Sequence, residues 1–161
     1  MKNKMETVPD FEDFLQLLEK HKVKYLIIGG LAFIFHAKPR YTKDIDILLE
    51  CSDNNIKKAN ETLKDFGSPY MLKKKPDEIL QLGLPPNRID IIQKIPGVKF
   101  ENAWGKRIRS PYGETSVNWI DIDSLIEAKK KLDHPRHKED VRVLLEVKKI
   151  RKKRQKQGYS G

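Results

Sequence analysis

The sequence predicts one domain of mixed helices and strands, of the α/β or the α+β class. Helix-type and strand-type hydrophobic patterns alternate irregularly along the chain, and no linker rich in glycine or proline divides it. The length of 161 residues suits one domain with its own core. We therefore expect a single domain over residues 1–147, followed by a basic tail over residues 148–161.

The first three elements are indicated by changes in hydrophobic spacing. Residues 10–21 carry apolar side chains at helical spacing, so a helix capped by its first residue, an aspartate, is predicted there. Residues 25–28 form an uninterrupted apolar run, which is typical of a buried strand, and a pair of glycines ends it. A short helix is then predicted over residues 31–37, because a proline two positions later disfavours its continuation.

The next two elements have clear boundaries. Residues 43–49 alternate between aspartate and isoleucine near their start, a pattern typical of a strand with two different faces. A helix is predicted to begin at Ser52 or Asp53 and to run to about residue 66. It ends at Gly67, because glycine readily adopts the left-handed conformation that closes helices.

The second half of the chain gives weaker signals but the same mixture of elements. Strands are predicted over residues 78–82, 88–94 and 115–120. Helices are predicted over residues 98–104, from residue 121 or 123 to 132, and from residue 137 into the tail. In the last helix we expect four apolar side chains to face the core, namely Val141, Leu144, Leu145 and Val147.

The net charge of +10 is spread unevenly. Seven basic residues and no acid lie between residues 148 and 156, and without them the net charge of the chain is +3. Such a run is either a solvated helix end or an arm that binds nucleic-acid phosphates, and the sequence leaves both interpretations open.

No apolar run approaches the roughly 20 residues of a membrane helix, and Met1 to Glu6 have no apolar signal-peptide core behind them. Cys51 is the single cysteine, so a disulfide within the chain is impossible. A reducing, cytoplasmic location is therefore expected.

Three aspartates carry the chemistry that the sequence suggests. Asp44 and Asp46 are two apart in a predicted strand, so both project to one face. Asp90, which lies between isoleucines in a later strand, is a third candidate, although alone it is equally a surface residue or a partner of Arg88. Oxygen ligands of this kind favour Mg²⁺ or Mn²⁺, and three carboxylates suit a two-metal site that activates a hydroxyl group. The third carboxylate is also a candidate general base.

A second group of residues is suited to binding phosphate. Gly29 and Gly30 allow backbone N–H groups to approach an anion, and the following helix offers its positive end. Arg40 and Thr42 lie just before the aspartates and add a charged donor and a hydroxyl.

These motifs resemble the signature of nucleotidyltransferases of the DNA polymerase β superfamily. The segment Gly-Gly-Leu-Ala at residues 29–32 and the segment Pro-Arg-Tyr-Thr-Lys-Asp-Ile-Asp-Ile at residues 39–47 carry the resemblance. It is closest to the branch of small enzymes that includes the AbiEii-like toxins. One departure is that the common Gly-Ser of the family is Gly-Gly here, so a serine hydroxyl contact to phosphate is missing.

The resemblance implies a nucleotidyltransferase fold of the α+β class, in which helices flank a short mixed β-sheet and a C-terminal helical segment follows. It also implies a site built from Asp44, Asp46 and Asp90. It also implies that Lys129 reaches the nucleotide, although Lys130 and Lys131 follow it. Helical spacing favours Lys129 as the inward-facing lysine. The segment at residues 136–140, Arg-His-Lys-Glu-Asp, resembles the family's start of the final helix.

The implied activity is Mg-dependent transfer of a nucleoside monophosphate from an NTP, with ATP as the expected donor, to a hydroxyl acceptor. RNA such as tRNA, a protein and a small molecule remain alternatives for the acceptor. A toxin–antitoxin role and a partner protein also follow from the resemblance. The rival hypothesis is a catalytically inactive nucleotide- or RNA-binding module of the same fold.

Overall fold

Six strands form one mixed sheet in residues 5–83 and 86–158, which the computed structural model describes. The strands are β1 (Tyr25–Ile28), β2 (Asp44–Leu49), β3 (Ile79–Leu82), β4 (Arg88–Ile92), β5 (Ile108–Tyr112) and β6 (Thr115–Trp119). Their order in the sheet is β3-β4-β2-β1-β6-β5. The strand β2 pairs antiparallel with β1 and parallel with β4, so the predicted mixed sheet is confirmed.

Six helices accompany the sheet within the same described residues. They are α1 (Pro9–Lys20), α2 (Gly29–His36), α3 (Asp53–Phe66), α4 (Phe100–Gly105), α5 (Ile122–Lys130) and α6 (Pro135–Lys156). None of these helices combines the length and the apolar character that a membrane span requires. The first four and last three residues, which belong to the predicted domain and tail, lie outside the described part of the chain.

The two faces of the sheet have separate apolar cores. On one face, α1 and α3 pack against Ile45 and Ile47 of β2, both of which are completely buried. On the other face, α5 and α6 cover Leu26 and Ile28 of β1, together with Leu48 of β2. The alternation of β2 therefore places its isoleucines in the first core and its aspartates on the second face.

Four helix starts differ from the predictions, and one of them is the start of α4, at Phe100 instead of residue 98. The N-cap of α1 is Val8 rather than Asp10, because a proline occupies the first helical position and places the aspartate in the first turn. The helix α2 begins at Gly29 itself, directly after β1. The helix α6 begins at Pro135 instead of residue 137, with the His134 ring accepting a hydrogen bond from the Arg136 N–H at 3.1 Å.

Two further predictions are corrected by the packing. Leu145, which was expected to face the core, is 40% exposed, whereas Leu144 is fully buried. The strand β5 was missed, because Arg109 and Pro111 interrupt its apolar pattern. The caps of α3 and α5 are as predicted, since Ser52 accepts from an N–H of its own helix and Asp121 does the same.

Candidate active site

Three carboxylates meet on the second face of the sheet. Asp44 and Asp46 lie on this face of β2, and both are partly exposed. Asp90 on β4 is paired in register with Asp46 and is 8% exposed. Side chains of paired residues on neighbouring strands lie side by side, so the sheet itself brings the three predicted aspartates together.

Arg88 is a fourth member of this cluster. Its Nε donates to Asp90 Oδ1 at 2.8 Å, and its Nη2 donates to Asp90 Oδ2 at 3.2 Å and to Asp44 Oδ2 at 3.4 Å. Hydrogen bonding to Asp90 raises the pKa of Arg88 above its ordinary value. The spacing of two residues from Asp90 in a strand is the sequence signal that identifies this arginine. Asp90 is therefore buried in the cluster and is also the partner of Arg88.

One guanidinium does not balance three carboxylates. Burial raises the pKa of Asp46 to about 7, and the negative charges of Asp90 and Asp44 add to this effect, while Arg88 opposes it. Among the described residues, no three side chains of His, Cys, Asp or Glu are already arranged to hold a metal ion. The donor set is nevertheless all oxygen with an excess of negative charge, and this chemistry fits a hard divalent cation such as Mg²⁺.

The two glycines at the start of α2 face different neighbours. Gly29 has a φ of +69°, and a Cβ atom added to it would lie 2.1 Å from Asp46 Oδ2. A Cβ atom on Gly30 would lie 3.4 Å from Thr42 Oγ1 and 3.8 Å from Arg40 Nη2. The start of α2 is therefore held close to both the carboxylates and the predicted phosphate-binding residues.

Thr42 and Arg40 are fixed by different contacts. Thr42 Oγ1 donates to the Asp44 carbonyl oxygen at 3.3 Å, which ties it to the first residue of β2. Arg40 makes a bidentate pair with Asp140 of α6, at 2.7 Å and 3.0 Å, and stacks over the Phe33 ring at 4.2 Å from its centroid. Within the described residues, the buried Nε of Arg40 has no hydrogen-bond partner.

Lys129 belongs to the same network, since its Nζ donates to Asp140 Oδ2 at 2.9 Å and its side chain is 5% exposed. Lys130 and Lys131 are exposed, so Lys129 is the inward-facing lysine, as its spacing predicted. Burial lowers the pKa of Lys129, although Asp140 opposes the shift. Burial disfavours the charged form of Asp140, but the hydrogen bonds from Arg40 and Lys129 outweigh it and hold its pKa low.

All eight predicted site residues thus lie in one neighbourhood of the fold. A Cβ atom added to Gly29 would meet Asp46, and one added to Gly30 would meet Thr42 and Arg40. Asp140 joins Arg40 to Lys129. The predictions missed the role of Asp140, for which the only signal was its place in the segment at residues 136–140. The cluster of carboxylates and the cationic network flank the start of α2. A helix end and positive charge are both suited to attracting a phosphate group.

Comparisons with known proteins identify the family of the chain and its fold. A family model described as "Nucleotidyltransferase of unknown function (DUF6036)" matches residues 8–107. No curated protein sequence matches the chain significantly.

Solved structures of nucleotidyltransferases share the fold. The lincosamide antibiotic adenylyltransferase LnuA, bound to lincomycin, has a TM-score of 0.59 at 20% identity and covers 91% of this chain and 99% of its own. A complex of ANT(2")-Ia with adenylyl-2"-tobramycin has a TM-score of 0.57 at 14% identity, covering 91% and 95%. A candidate nucleotidyltransferase from Thermotoga maritima has a TM-score of 0.58 at 15% identity, covering 89% and 97%. These similarities show the fold that the chain shares with them.

Proposed function

Because this chain belongs to the DUF6036 family of nucleotidyltransferases, we propose that it transfers a nucleoside monophosphate from an NTP to a hydroxyl group, releasing pyrophosphate. The observation that carries the proposal is the row formed by Asp46 and Asp90, which lies against Gly29 at the start of α2. The row provides carboxylates for the reacting end of the substrate, and the start of α2 provides a helix end for its phosphates.

In this proposal Asp44, Asp46 and Asp90 hold Mg²⁺ or Mn²⁺. The bound ions supply neutralisation of phosphate charge and a lowered pKa for an oxygen nucleophile. Asp90 accepts the proton of the attacking acceptor hydroxyl, because among the three carboxylates it lies on the strand next to the edge strand β3. Arg88, which is bound to Asp90, orients this carboxylate.

The triphosphate is assigned to the opposite side of the carboxylates. Backbone N–H groups at Gly29 and Gly30 point from the start of α2, and Thr42 adds a hydroxyl beside them. Arg40 and Lys129 supply positive charge, since Asp140 alone does not balance two cations. ATP is the proposed donor, and the adenylyl groups named for LnuA and ANT(2")-Ia support this choice.

For the acceptor we propose RNA in preference to a protein or a small molecule. The support is the basic segment at residues 148–156, which continues α6 as an exposed helix. A toxin–antitoxin function with a partner protein also belongs to this proposal, and its support is the sequence resemblance to AbiEii-like enzymes. A cytoplasmic location is proposed as well, and its support is the single cysteine. The 1–147 domain and the 148–161 tail remain its proposed division of the chain.

A second candidate, a binding module without catalysis, is favoured by one observation. Arg88 already binds Asp90 and Asp44, so the guanidinium occupies part of the carboxylate surface that a cation needs. In that case the chain would bind a nucleotide without turning it over.

A comparison of turnover and binding tests the proposal. The full chain is incubated with Mg²⁺, NTPs carrying a labelled α-phosphate, and total tRNA or cell extract as acceptor. We expect label transfer and pyrophosphate release, and a loss of about a thousandfold or more in Asp44→Ala, which is equivalent to several kcal/mol of transition-state stabilisation. The matched control is Asp133→Ala, whose side chain is 99% exposed and which should behave as wild type.

Calorimetry with ATP and Mg²⁺ then separates the two candidates. Binding without pyrophosphate release would favour the module, and an unchanged rate in Asp44→Ala would contradict the proposed site.

A further inference from the structure

The edge strand β3 places an unassigned residue beside Asp90. Gln81 is paired in register with Asp90, which is paired with Asp46, so the three side chains form one row across three strands. Gln81 is exposed, and its amide makes no hydrogen bond to any described residue. A primary amide both donates and accepts hydrogen bonds, which suits recognition of a sugar hydroxyl.

The surface around Gln81 is uncovered, in contrast to the same face further along the sheet. Ile79, two residues earlier on β3, is 57% exposed and is paired with Ile92. Leu26 on β1, which lies on this face at the centre of the sheet, is completely buried beneath the helices. The edge at β3 and β4 is therefore the part of the face on which an acceptor has room to lie beside Asp90.

Positive charge lies at the end of this edge. Lys73, Lys74 and Lys75 are consecutive and exposed in the loop that leads into β3. The loop is held at the end of β4, because Gln93 Nε2 donates to the Lys73 carbonyl oxygen at 2.7 Å. Lys74 and Lys75 make exposed ion pairs at 3.5 Å and 3.4 Å, and exposed pairs of this kind are weak enough to be exchanged for phosphate.

We infer that the acceptor is the 3′ end of an RNA strand lying along β3, with its terminal ribose on Gln81 and its preceding phosphates on the lysines at residues 73–75. The inference rests on the proposed function and identifies its acceptor site. Ile79 provides an apolar contact between these two points, about two strand residues, or roughly 7 Å, from Gln81.

Charge favours RNA over a cationic small molecule at this edge. The loop at residues 73–78 offers three consecutive cations against two exposed acids, Asp77 and Glu78, and therefore keeps a net positive charge. The side chains that face outward from β3 itself, Ile79 and Gln81, are neutral. The basic segment at residues 148–156 lies elsewhere, because Arg151 contacts the carbonyl oxygen of His36, at the end of α2 opposite Gly29. That segment is thus placed to bind distant phosphates, while the edge at β3 receives the reacting end.

Fluorescence anisotropy with a labelled octaribonucleotide of mixed sequence tests the lysines. The triple substitution Lys73→Gln, Lys74→Gln and Lys75→Gln should weaken binding about tenfold, and should reduce the slope of log affinity against log salt by about 2. The control removes three lysines from α6, by Lys152→Gln, Lys153→Gln and Lys156→Gln, and should weaken binding less than about threefold. A larger loss in the α6 variant, or no RNA binding by the wild type, would overturn the inference.

The terminal ribose is tested with a second oligonucleotide that differs only in lacking the 3′-hydroxyl. The wild type should bind the natural oligonucleotide about three- to tenfold more tightly, and Gln81→Ala should abolish this preference. The control is Gln16→Ala, a change to an exposed glutamine of α1, which should retain it. Retention of the preference in Gln81→Ala contradicts the assignment of Gln81.

Calorimetry with ATP and Mg²⁺ on the same proteins keeps the two proposals separate. Normal ATP binding and pyrophosphate release without the predicted RNA effects would overturn only the acceptor site. Failure of ATP to bind would overturn the proposed function.

Discussion

Two charged clusters flank the start of α2, and they differ in how their charges are balanced. The network at Asp140 places two cations, Arg40 and Lys129, on one buried carboxylate. The cluster at Asp46 places one guanidinium, that of Arg88, among three carboxylates. The first cluster has an excess of positive charge and the second an excess of negative charge.

This difference indicates which cluster is satisfied by protein contacts alone. Both carboxylate oxygens of Asp140 accept hydrogen bonds from the protein, so the Asp140 network joins α5, α6 and the segment before β2 without a ligand. Burial of Asp46, together with repulsion from the other carboxylates on β2 and β4, raises its pKa to about 7. We interpret the first cluster as structural support that also faces phosphate, and the second as a site that a substrate and its cations complete.

The largest effect is expected when the Asp140 network is broken. Asp140→Ala leaves the buried Lys129 and the half-buried Arg40 without their partner, and should lower the free energy of unfolding by about 3–5 kcal/mol. Urea denaturation followed by circular dichroism measures this loss. The neighbouring change Glu139→Ala removes only an exposed pair with Arg142 and should cost less than about 1 kcal/mol. Equal losses in the two variants would show that the Asp140 network is not the stronger one.

The next effect concerns the close approach of α2 to the carboxylate cluster at Asp46. Gly29→Ala forces a positive φ on alanine and a clash with Asp46, so it should destabilise the protein by about 2 kcal/mol and sharply reduce nucleotide transfer. Gly30→Ala is the matched control for stability, because its added atom makes only ordinary contacts. Thermal unfolding of both variants gives the comparison, and equal melting temperatures would contradict it.

The carboxylate cluster at Asp46 should also make the free energy of unfolding depend on pH. Asp46 has a pKa raised to about 7 when folded, against an ordinary value of 3.8, so it binds more protons folded than unfolded between these values. Its contribution to stability is therefore present at low pH and lost as pH rises from about 4 to 7 in metal-free protein. A loss of at least about 1.4 kcal/mol is expected, because each tenfold difference in proton affinity between the folded and unfolded protein is worth that much free energy.

The variant Asp46→Asn isolates this contribution from that of the histidines, because His36 and His137 have lowered pKa values and change stability in the opposite direction over part of this range. Denaturation of both proteins with a chelator at pH 5 and pH 7.5 measures the difference. If the wild type and the variant lose stability in parallel, Asp46 is not the source.

The smallest effect is the stabilisation of the folded protein by Mg²⁺ bound at the carboxylate cluster. At ten times its dissociation constant, a ligand that binds only the folded protein adds about 1.4 kcal/mol. The wild type should therefore melt at a higher temperature with Mg²⁺, and Asp44→Asn should not respond. The same rise in both proteins would place the ion elsewhere.

Much of the fold and site was predictable, because periodicity in a strand directly determines which side chains share a face. The alternation at residues 43–49 correctly separated the aspartates from the buried isoleucines. Register between strands has no local signal, so the pairing of Asp90 with Asp46 and of Gln81 with Asp90 required the structure. The Asp140 network was also hidden, because it joins side chains 100 positions apart in the chain.

The contact between Gly29 and Asp46 also constrains how the sequence can diverge. The carboxylate fills the volume that a side chain at position 29 would need, so the two positions are not free to change independently. A lineage that keeps the aspartate must keep the glycine, while a lineage that loses catalysis is released from both requirements. Homologues should therefore change at these positions together, and an alignment with a larger residue at position 29 beside an intact aspartate would mark a rearranged strand-to-helix turn.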